Sequence, residues 1–267
     1  MTAPQPAGQS LTPAAIAELG ERAEGGRVVV IALTDEELTV LDGPQTDQVA
    51  PRPWYEQQDE QTRQVACVVA LRGLAARGIA LPSQVARNGD VTVALPDDVH
   101  AALAMRRAAS VIVVAHQRVE TGMQARVLYG QGPRLVLEEH VSGGGLHTFS
   151  VVPLGDAVDD LVTLVDPQGA AGEADAPRRA LTLSELAAGQ DGLGELGDTR
   201  CVTVLGRVAL GRQGEPVEQR VSVYALADRV EVADPRQLDG STILELGEVS
   251  RATLRSRLRA LLDADPT

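Results

Sequence analysis

The sequence predicts an α+β protein with a central, largely antiparallel sheet, helices ahead of it and an amphipathic helix closing each half. Three observations carry that expectation. Residues 109–167 and 201–266 read as two β-rich copies of one unit, partner positions staying close to ninety residues apart. Each copy opens on apolar extended runs: Val111–Val114, Arg126–Tyr129 and Leu135–Leu137 in the first, Val202–Leu205, Arg220–Val223 and Val230–Val232 in the second. Each then reaches a Leu-Gly-acid triplet, a leucine-bearing helix and an acidic stretch ending in proline. The triplets are Leu154-Gly155-Asp156 and Leu246-Gly247-Glu248, and the closing prolines are Pro167 and Pro266. A pseudo-symmetric sheet of this kind suits holding a partner and does not by itself suggest a reaction.

The elements follow in order. Residues 1–10, rich in Pro and Gln, are expected to form a disordered tail. Thr12 is placed to cap a short helix with Pro13 at its first position and Gly20 just past its end. Val28–Ile31 is β-branched and reads as a strand. Thr34 with Glu37 three residues on forms a capping box for a short helix ending near Gly43. Residues 44–55 carry three prolines and read as a loop. The longest helical pattern runs from Glu56 to Arg77 and turns apolar through Val65, Val68, Val69, Leu71 and Leu74. Asn88-Gly89 is a hairpin signal between residues 84–86 and 91–93. A helix starts at Pro96, with Asp97 and Asp98 favourably placed against its dipole.

The organisation expected is therefore a tail, an N-terminal half over 11–167 and a linker over 168–200 with a short helix near 183–188. A second β-repeat follows over 201–267, the whole forming one compact unit. The final helix sets Leu254, Leu258, Leu261 and Leu262 on one stripe, with Arg251, Arg255, Arg257 and Arg259 on the other faces.

Composition narrows the chemistry. A hydrophobic content of 44% can bury a core, but with 2% aromatics it must be built of aliphatic residues. The net charge is -13 and all 24 basic residues are arginine, which excludes a P-loop lysine, a Schiff base and a lysine general base. The acidic balance opposes non-specific nucleic-acid binding. No apolar run reaches the ~20 residues of a membrane helix, and the first residues lack a signal-peptide pattern. A cytoplasmic protein is the expectation. Cys67 and Cys201 are flanked by apolar residues and read as small buried hydrophobes.

Motifs that might carry a reaction do not hold together. Gly192-Leu-Gly194-Glu-Leu-Gly197 has dinucleotide-binding spacing, yet a helix precedes it and a strand follows, the reverse of what that fingerprint needs. Ser142–His147, with three glycines, sits at a turn between strands and opens no helix. His116 and His140 could meet across strands, with His147 joining them as a three-histidine zinc site; hydrogen-bonded or solvated imidazoles are the plainer reading. The acidic pairs, Glu138-Glu139 among them, read as solvating charges. No catalytic residue, cofactor or metal is expected. The helix over 56–77 followed by the Asn88-Gly89 hairpin also matches a winged DNA-binding arrangement, in a locally basic stretch, but the helix is too apolar for a recognition helix.

In this order of elements the chain resembles the EspG family of secretion-associated chaperones of actinobacterial type VII (ESX) systems. The resemblance runs from about residue 27 to 263. It rests on the strand and helix over Val28–Leu41, the helix ending Leu71-Arg72-Gly73-Leu74-Ala75-Ala76-Arg77-Gly78, the Leu95-Pro96 helix start and the two β-repeats. Two features depart from the family: the linker between repeats is short, and the aromatic-Asp signature near Val221–Leu226 is reduced to Tyr224. The resemblance implies a divergent cytosolic chaperone that covers a helical substrate of PE/PPE or WXG100 type, single or heterodimeric, before export. The matching elements are the loop Gln117–Gln124 and the final helix, and the implied anchors are Val119, Met123, Leu254 and Leu258. A non-catalytic scaffold of another family and a winged-helix regulator remain the alternatives.

Overall fold

The computed structural model describes residues 13–43, 49–85, 91–119, 122–182, 199–210, 216–238 and 241–263. It is α+β, with a large antiparallel sheet and six α-helices among those residues. The chain groups into two compact units that are discontinuous in sequence. The first comprises Met1–Ala109, Ala125–Gln131 and Leu135–Pro153; the second comprises Ser110–Gln124, Gly132–Arg134 and Leu154–Thr267.

In the first unit, α1 (Pro13–Ala23) leads to β1 (Val28–Thr34), α2 (Asp35–Asp42), a 3-10 turn at Tyr55–Gln57 and α3 (Glu60–Ala76). The small hairpin of β2 (Leu81–Val85) and β3 (Val91–Ala94) precedes α4 (Asp97–Ala108). Its turn residues, Asn88-Gly89, lie outside the described residues, as do the tail and Thr12. The strands of this unit are β1, β5 (Gly122–Gln131), β6 (Leu135–Val141) and β7 (Leu146–Pro153). They pair antiparallel, β7 lying between β1 and β6, and β6 between β7 and β5. Leu33, Leu38, Leu41, Leu103, Met105, Leu137 and Phe149 are all essentially inaccessible and form the core.

The capping box at Thr34 forms as expected: Glu37 N–H donates to Thr34 Oγ1 and Thr34 N–H donates to Glu37 Oε2. Gly20 does not end the first helix. It sits inside α1, where a Cβ would come within 2.9 Å of Leu135 Cδ1, so its missing side chain lets the helix approach the strand. The long helix begins at Glu60, not Glu56, because Asp59 caps it by accepting from Thr62 N–H.

In the second unit, β4 (Val111–Val119) pairs with β9 (Cys201–Leu210), which continues to β10 (Pro216–Ala225), β11 (Val230–Leu238) and β12 (Ser241–Glu248). Two amphipathic helices belong to it, α5 (Leu154–Val165) and α6 (Arg251–Leu262). All four leucines of the predicted stripe on α6 are buried. Arg207 rises from β9 to the C-terminal end of α6, donating to Leu261 O and Asp263 O at 2.9 Å each and satisfying carbonyls the helix cannot. Ser250 caps the other end.

Part of the expected linker is integral to this unit. Residues 179–182 form β8 (Arg179–Thr182), which pairs along β12. Asp175 accepts from Ser250 N–H and Thr253 Oγ1, tying the segment to the start of α6. The helix expected near 183–188 and the Gly192–Gly197 pattern lie outside the described residues. The two Leu-Gly-acid triplets occupy different elements. Leu154-Gly155-Asp156 opens α5, whereas Leu246-Gly247-Glu248 ends β12. Gly247 is needed because a Cβ there would meet Arg178 Cγ at 2.8 Å, while Gly155 has open space around it.

Two glycines allow a controlled comparison. Gly145 (φ +78°) would place a Cβ 2.6 Å from Asp35 Oδ2, while Gly132 (φ +76°) has nothing within 4 Å. Gly132→Ala should cost only the left-handed backbone penalty of about 1–2 kcal/mol. Gly145→Ala should cost clearly more in urea denaturation, because it also displaces a buried carboxylate. Equal losses would refute the close-approach argument.

Candidate functional site

The most densely built polar cluster lies in the first unit, at the end of β1 and the start of α2. His147, on β7, is fully buried. Its Nδ1 lies 2.6 Å from Glu139 Oε1, and its Nε2 lies 2.6 Å from Asp35 Oδ1. With a carboxylate at each ring nitrogen, both nitrogens act as donors and the ring is an imidazolium. Burial opposes that charge, but the hydrogen bonds and charges of Asp35 and Glu139 raise the His147 pKa above its ordinary value. Burial likewise works against the Glu139 carboxylate, yet His147, Arg106 and the Tyr129 hydroxyl hold its pKa below the usual range.

Neighbouring groups extend the cluster. Tyr129 OH donates to Glu139 Oε2 at 2.6 Å, and Arg106 Nε donates to the same oxygen at 3.0 Å. Burial and the adjacent Glu139 push the Tyr129 phenol well above its ordinary pKa. Arg106 also pairs with Asp42, which Arg107 contacts from its other oxygen at 2.7 Å. Among the described residues three carboxylates (Asp35, Asp42, Glu139) thus face three cations (His147, Arg106, Arg107). Asp35 Oδ2 further accepts the backbone N–H groups of Trp54 and Tyr55, at 2.8 and 2.9 Å. One carboxylate therefore holds a strand, a helix and a loop together.

Local sequence explains each placement. Val141 pairs with His147 across β6 and β7, and Glu139 lies two residues from Val141, on the same strand face as Leu137. The turn Ser142–Leu146 brings the chain back: Gly145 N–H donates to Ser142 O, Ser142 Oγ accepts from Leu146 N–H, and Asp35 N–H donates to Gly145 O. This turn is the glycine-rich segment read earlier as a plain connection, and it is one, but it also fits against Asp35. Glu138, on the other face of β6, is buried against Arg27 and Arg126. The expectation that Glu138-Glu139 is a solvating pair is therefore corrected. Both are buried, each with cations supplied by the fold.

Chemically the arrangement is a buried charge network. An imidazole whose two nitrogens both donate has no lone pair with which to take a proton or bind a metal. Among the described residues no three His, Cys, Asp or Glu side chains are grouped to hold a metal ion. The three-histidine arrangement does not form, because His140 pairs with Thr148 and projects from the opposite strand face to His147. His116 sits on β4 opposite Val204. A cavity of about 190 Å³ in the second unit is lined in part by Arg179, Arg229, Glu231 and Glu248. Both arginines there pair with Glu231, and the space is below the ~300 Å³ typical of a small-molecule site.

The residues implied as partner anchors separate into two classes. Met123 is 50% exposed, near the start of β5. Val119 ends β4, and its side chain lies outside the described residues. Leu254 and Leu258 are 0% and 2% exposed, so they pack in the core of the second unit and offer no surface. The segment bearing Met123 has a built base. Gln117 is buried and donates through Nε2 to Leu164 O and Thr203 Oγ1, while its Oε1 accepts from Gln124 Nε2 at 2.7 Å. Cys201 contacts the same amide, and Cys67 contacts Tyr55 OH at 3.6 Å. Both cysteines are free and half-buried, more exposed than expected, and each lies beside a polar partner. Desolvation and the Cys67 contact push the Tyr55 phenol up to about 12.

Comparison with known proteins adds no assignment: no protein-family model and no curated protein matches the chain. Among the described residues no helix is long and apolar enough to cross a membrane.

The charge network fixes a pH dependence. The raised His147 pKa contributes stability that is full below about 6.5, the unfolded value, and is lost as pH rises through the folded value. The lowered Glu139 pKa contributes stability present above its unfolded value and lost as pH falls through the folded one. Urea denaturation across pH should therefore show a maximum with two falling limbs. His147→Leu should cost about 3–5 kcal/mol, since it leaves two buried carboxylates facing each other. It should also abolish the alkaline limb. An unchanged alkaline limb in that variant would show that His147 is not the group responsible.

Proposed function

We propose that this chain is a non-catalytic, cytosolic chaperone or adaptor of the EspG type that captures a helical secretion substrate, PE/PPE-like or WXG100-like, and keeps it soluble before export. The observation that carries the reading is Met123, a large flexible apolar side chain left half exposed beside a segment whose base is locked by Gln117. Methionine adapts to varied apolar surfaces, and a rigid support lowers the entropy lost on binding. The repeated order of elements lends support. Four strands and a twelve-residue helix, β4 to β7 then α5, are followed later by β9 to β12 and α6 in the same order. A pseudo-symmetric pair of such halves is a platform for a polypeptide.

On this reading the polar cluster around His147 is structural, which fits a protein without a reaction to perform. The alternative of a winged regulator fits less well. The outward face of α3 carries three exposed valines, which make no hydrogen bonds to base edges or phosphates.

Tagged protein recovered from a native actinobacterial lysate, with partners identified by mass spectrometry, tests the proposal. A small helical exported protein, or a heterodimer of such proteins, should come down in near-equal amounts. Met123→Asp should abolish that recovery while changing unfolding stability by no more than about 0.5 kcal/mol, as for an exposed side chain. Recovery of only housekeeping proteins would overturn the reading.

A further inference from the structure

The helix α3 is well anchored on one side and conspicuously apolar on the other. Ala70 and Leu74 are buried, and the helix packs against α2. Arg63 lies over the Tyr55 ring, 5.3 Å from its centroid, and donates to Tyr55 O and Glu56 O, so the loop is clasped to the helix. Yet Val65, Val68 and Val69 are 59%, 47% and 59% exposed. They stand at i, i+3 and i+4 and so form one strip on the outer face. Trp54, in the loop clasped to this helix, is exposed as well. Scattered surface valines need no explanation, but three adjacent ones on an ordered helix make a patch.

The charge around the strip is the second observation. Residues 61–78 contain three arginines and no acid, in a chain with 37 acidic and 24 basic residues. Arg72 is exposed one turn beyond the valines. Arg77 is paired with Glu37, so Arg72 is the exposed cation that borders the strip. Arg72 beside the valines favours an occupant that carries carboxylates.

We propose that the outer face of α3 docks an amphipathic helix of a partner polypeptide, its apolar side on Val65, Val68 and Val69 and its carboxylates over Arg72. Such a helix would read the strip through its own i, i+3, i+4 and i+7 positions. The inference rests on the reading of the chain as a captor of helical polypeptides, and it assigns a surface distinct from Met123.

Two synthetic helical peptides with identical leucine stripes, one flanked by glutamates and one by lysines, are titrated against the full chain by fluorescence anisotropy. The glutamate peptide should bind and the lysine peptide should bind at least tenfold more weakly. The triple change V65S/V68S/V69S should weaken the glutamate peptide at least tenfold, and Arg72→Glu should reverse the preference between peptides. Circular dichroism of each variant should match the parent, since all four positions are exposed. Equal affinities, no binding of either peptide, or binding untouched by the triple change would overturn the proposal. So would a dimer in sedimentation that the triple change abolishes, which would make the occupant a second copy. Binding to anionic vesicles lost in the triple variant, with neither peptide bound, would overturn it in favour of a membrane surface. Pull-downs separate this from the broader reading. Normal cargo recovery by the triple variant defeats the α3 surface and leaves capture standing, whereas absence of any helical partner with the parent defeats capture while the peptide titration still judges α3.

Discussion

His147, held between Asp35 and Glu139, is the interaction on which the first unit depends. His147 itself stands on β7 and its two partners come from β6 and the first turn of α2, more than a hundred residues apart along the chain at their widest. A buried carboxylate is costly unless it is paired and hydrogen-bonded. Here each one is satisfied by several donors, cations among them. Removing a member leaves an orphaned charge, so the cluster imposes one arrangement of strand, helix and loop. Such a network does little to raise stability over an apolar core of the same volume. What it supplies is a unique register for elements that valine and leucine alone would hold less selectively.

The same logic governs the second unit at lower charge. Arg207 finishes α6 from beneath, Ser250 and Asp175 start it, and Gln117 ties β4 to β9 and to the end of α5. These are polar groups spent on helix ends and strand junctions, where backbone donors and acceptors would otherwise go unpaired. Among the described residues several large apolar side chains stay exposed, and two of these features bear on the proposals. They are a methionine in one unit and a valine strip in the other.

Several parts of this were legible along the chain. The capping box at Thr34 and Glu37, the leucine stripe of α6 and the order of strands follow from short-range periodicity and hydrogen-bonding capacity. Gly20 was misread as a helix end because a glycine in a helix has two uses, and only the proximity of Leu135 tells which applies. The segment after Asp166 looks like a linker by composition, and β8 forms there because β12 offers it an edge. Glu139 is legible in the sequence: it keeps phase with Leu135, Leu137 and Val141, a strand face whose other residues are apolar, a signal that one acid is headed inward.

The chain's own residues determined the fold class, the capped start of α2, the all-arginine basic chemistry and an interior of aliphatic side chains. Each depends on neighbours within a few positions or on composition alone. Only the tertiary structure decided that His147 meets Asp35 and Glu139, that Leu254 and Leu258 point inward, and that the valines of α3 do not. Those outcomes turn on which face of an element another element covers, and periodicity can mark a face as apolar without saying what, if anything, will lie against it.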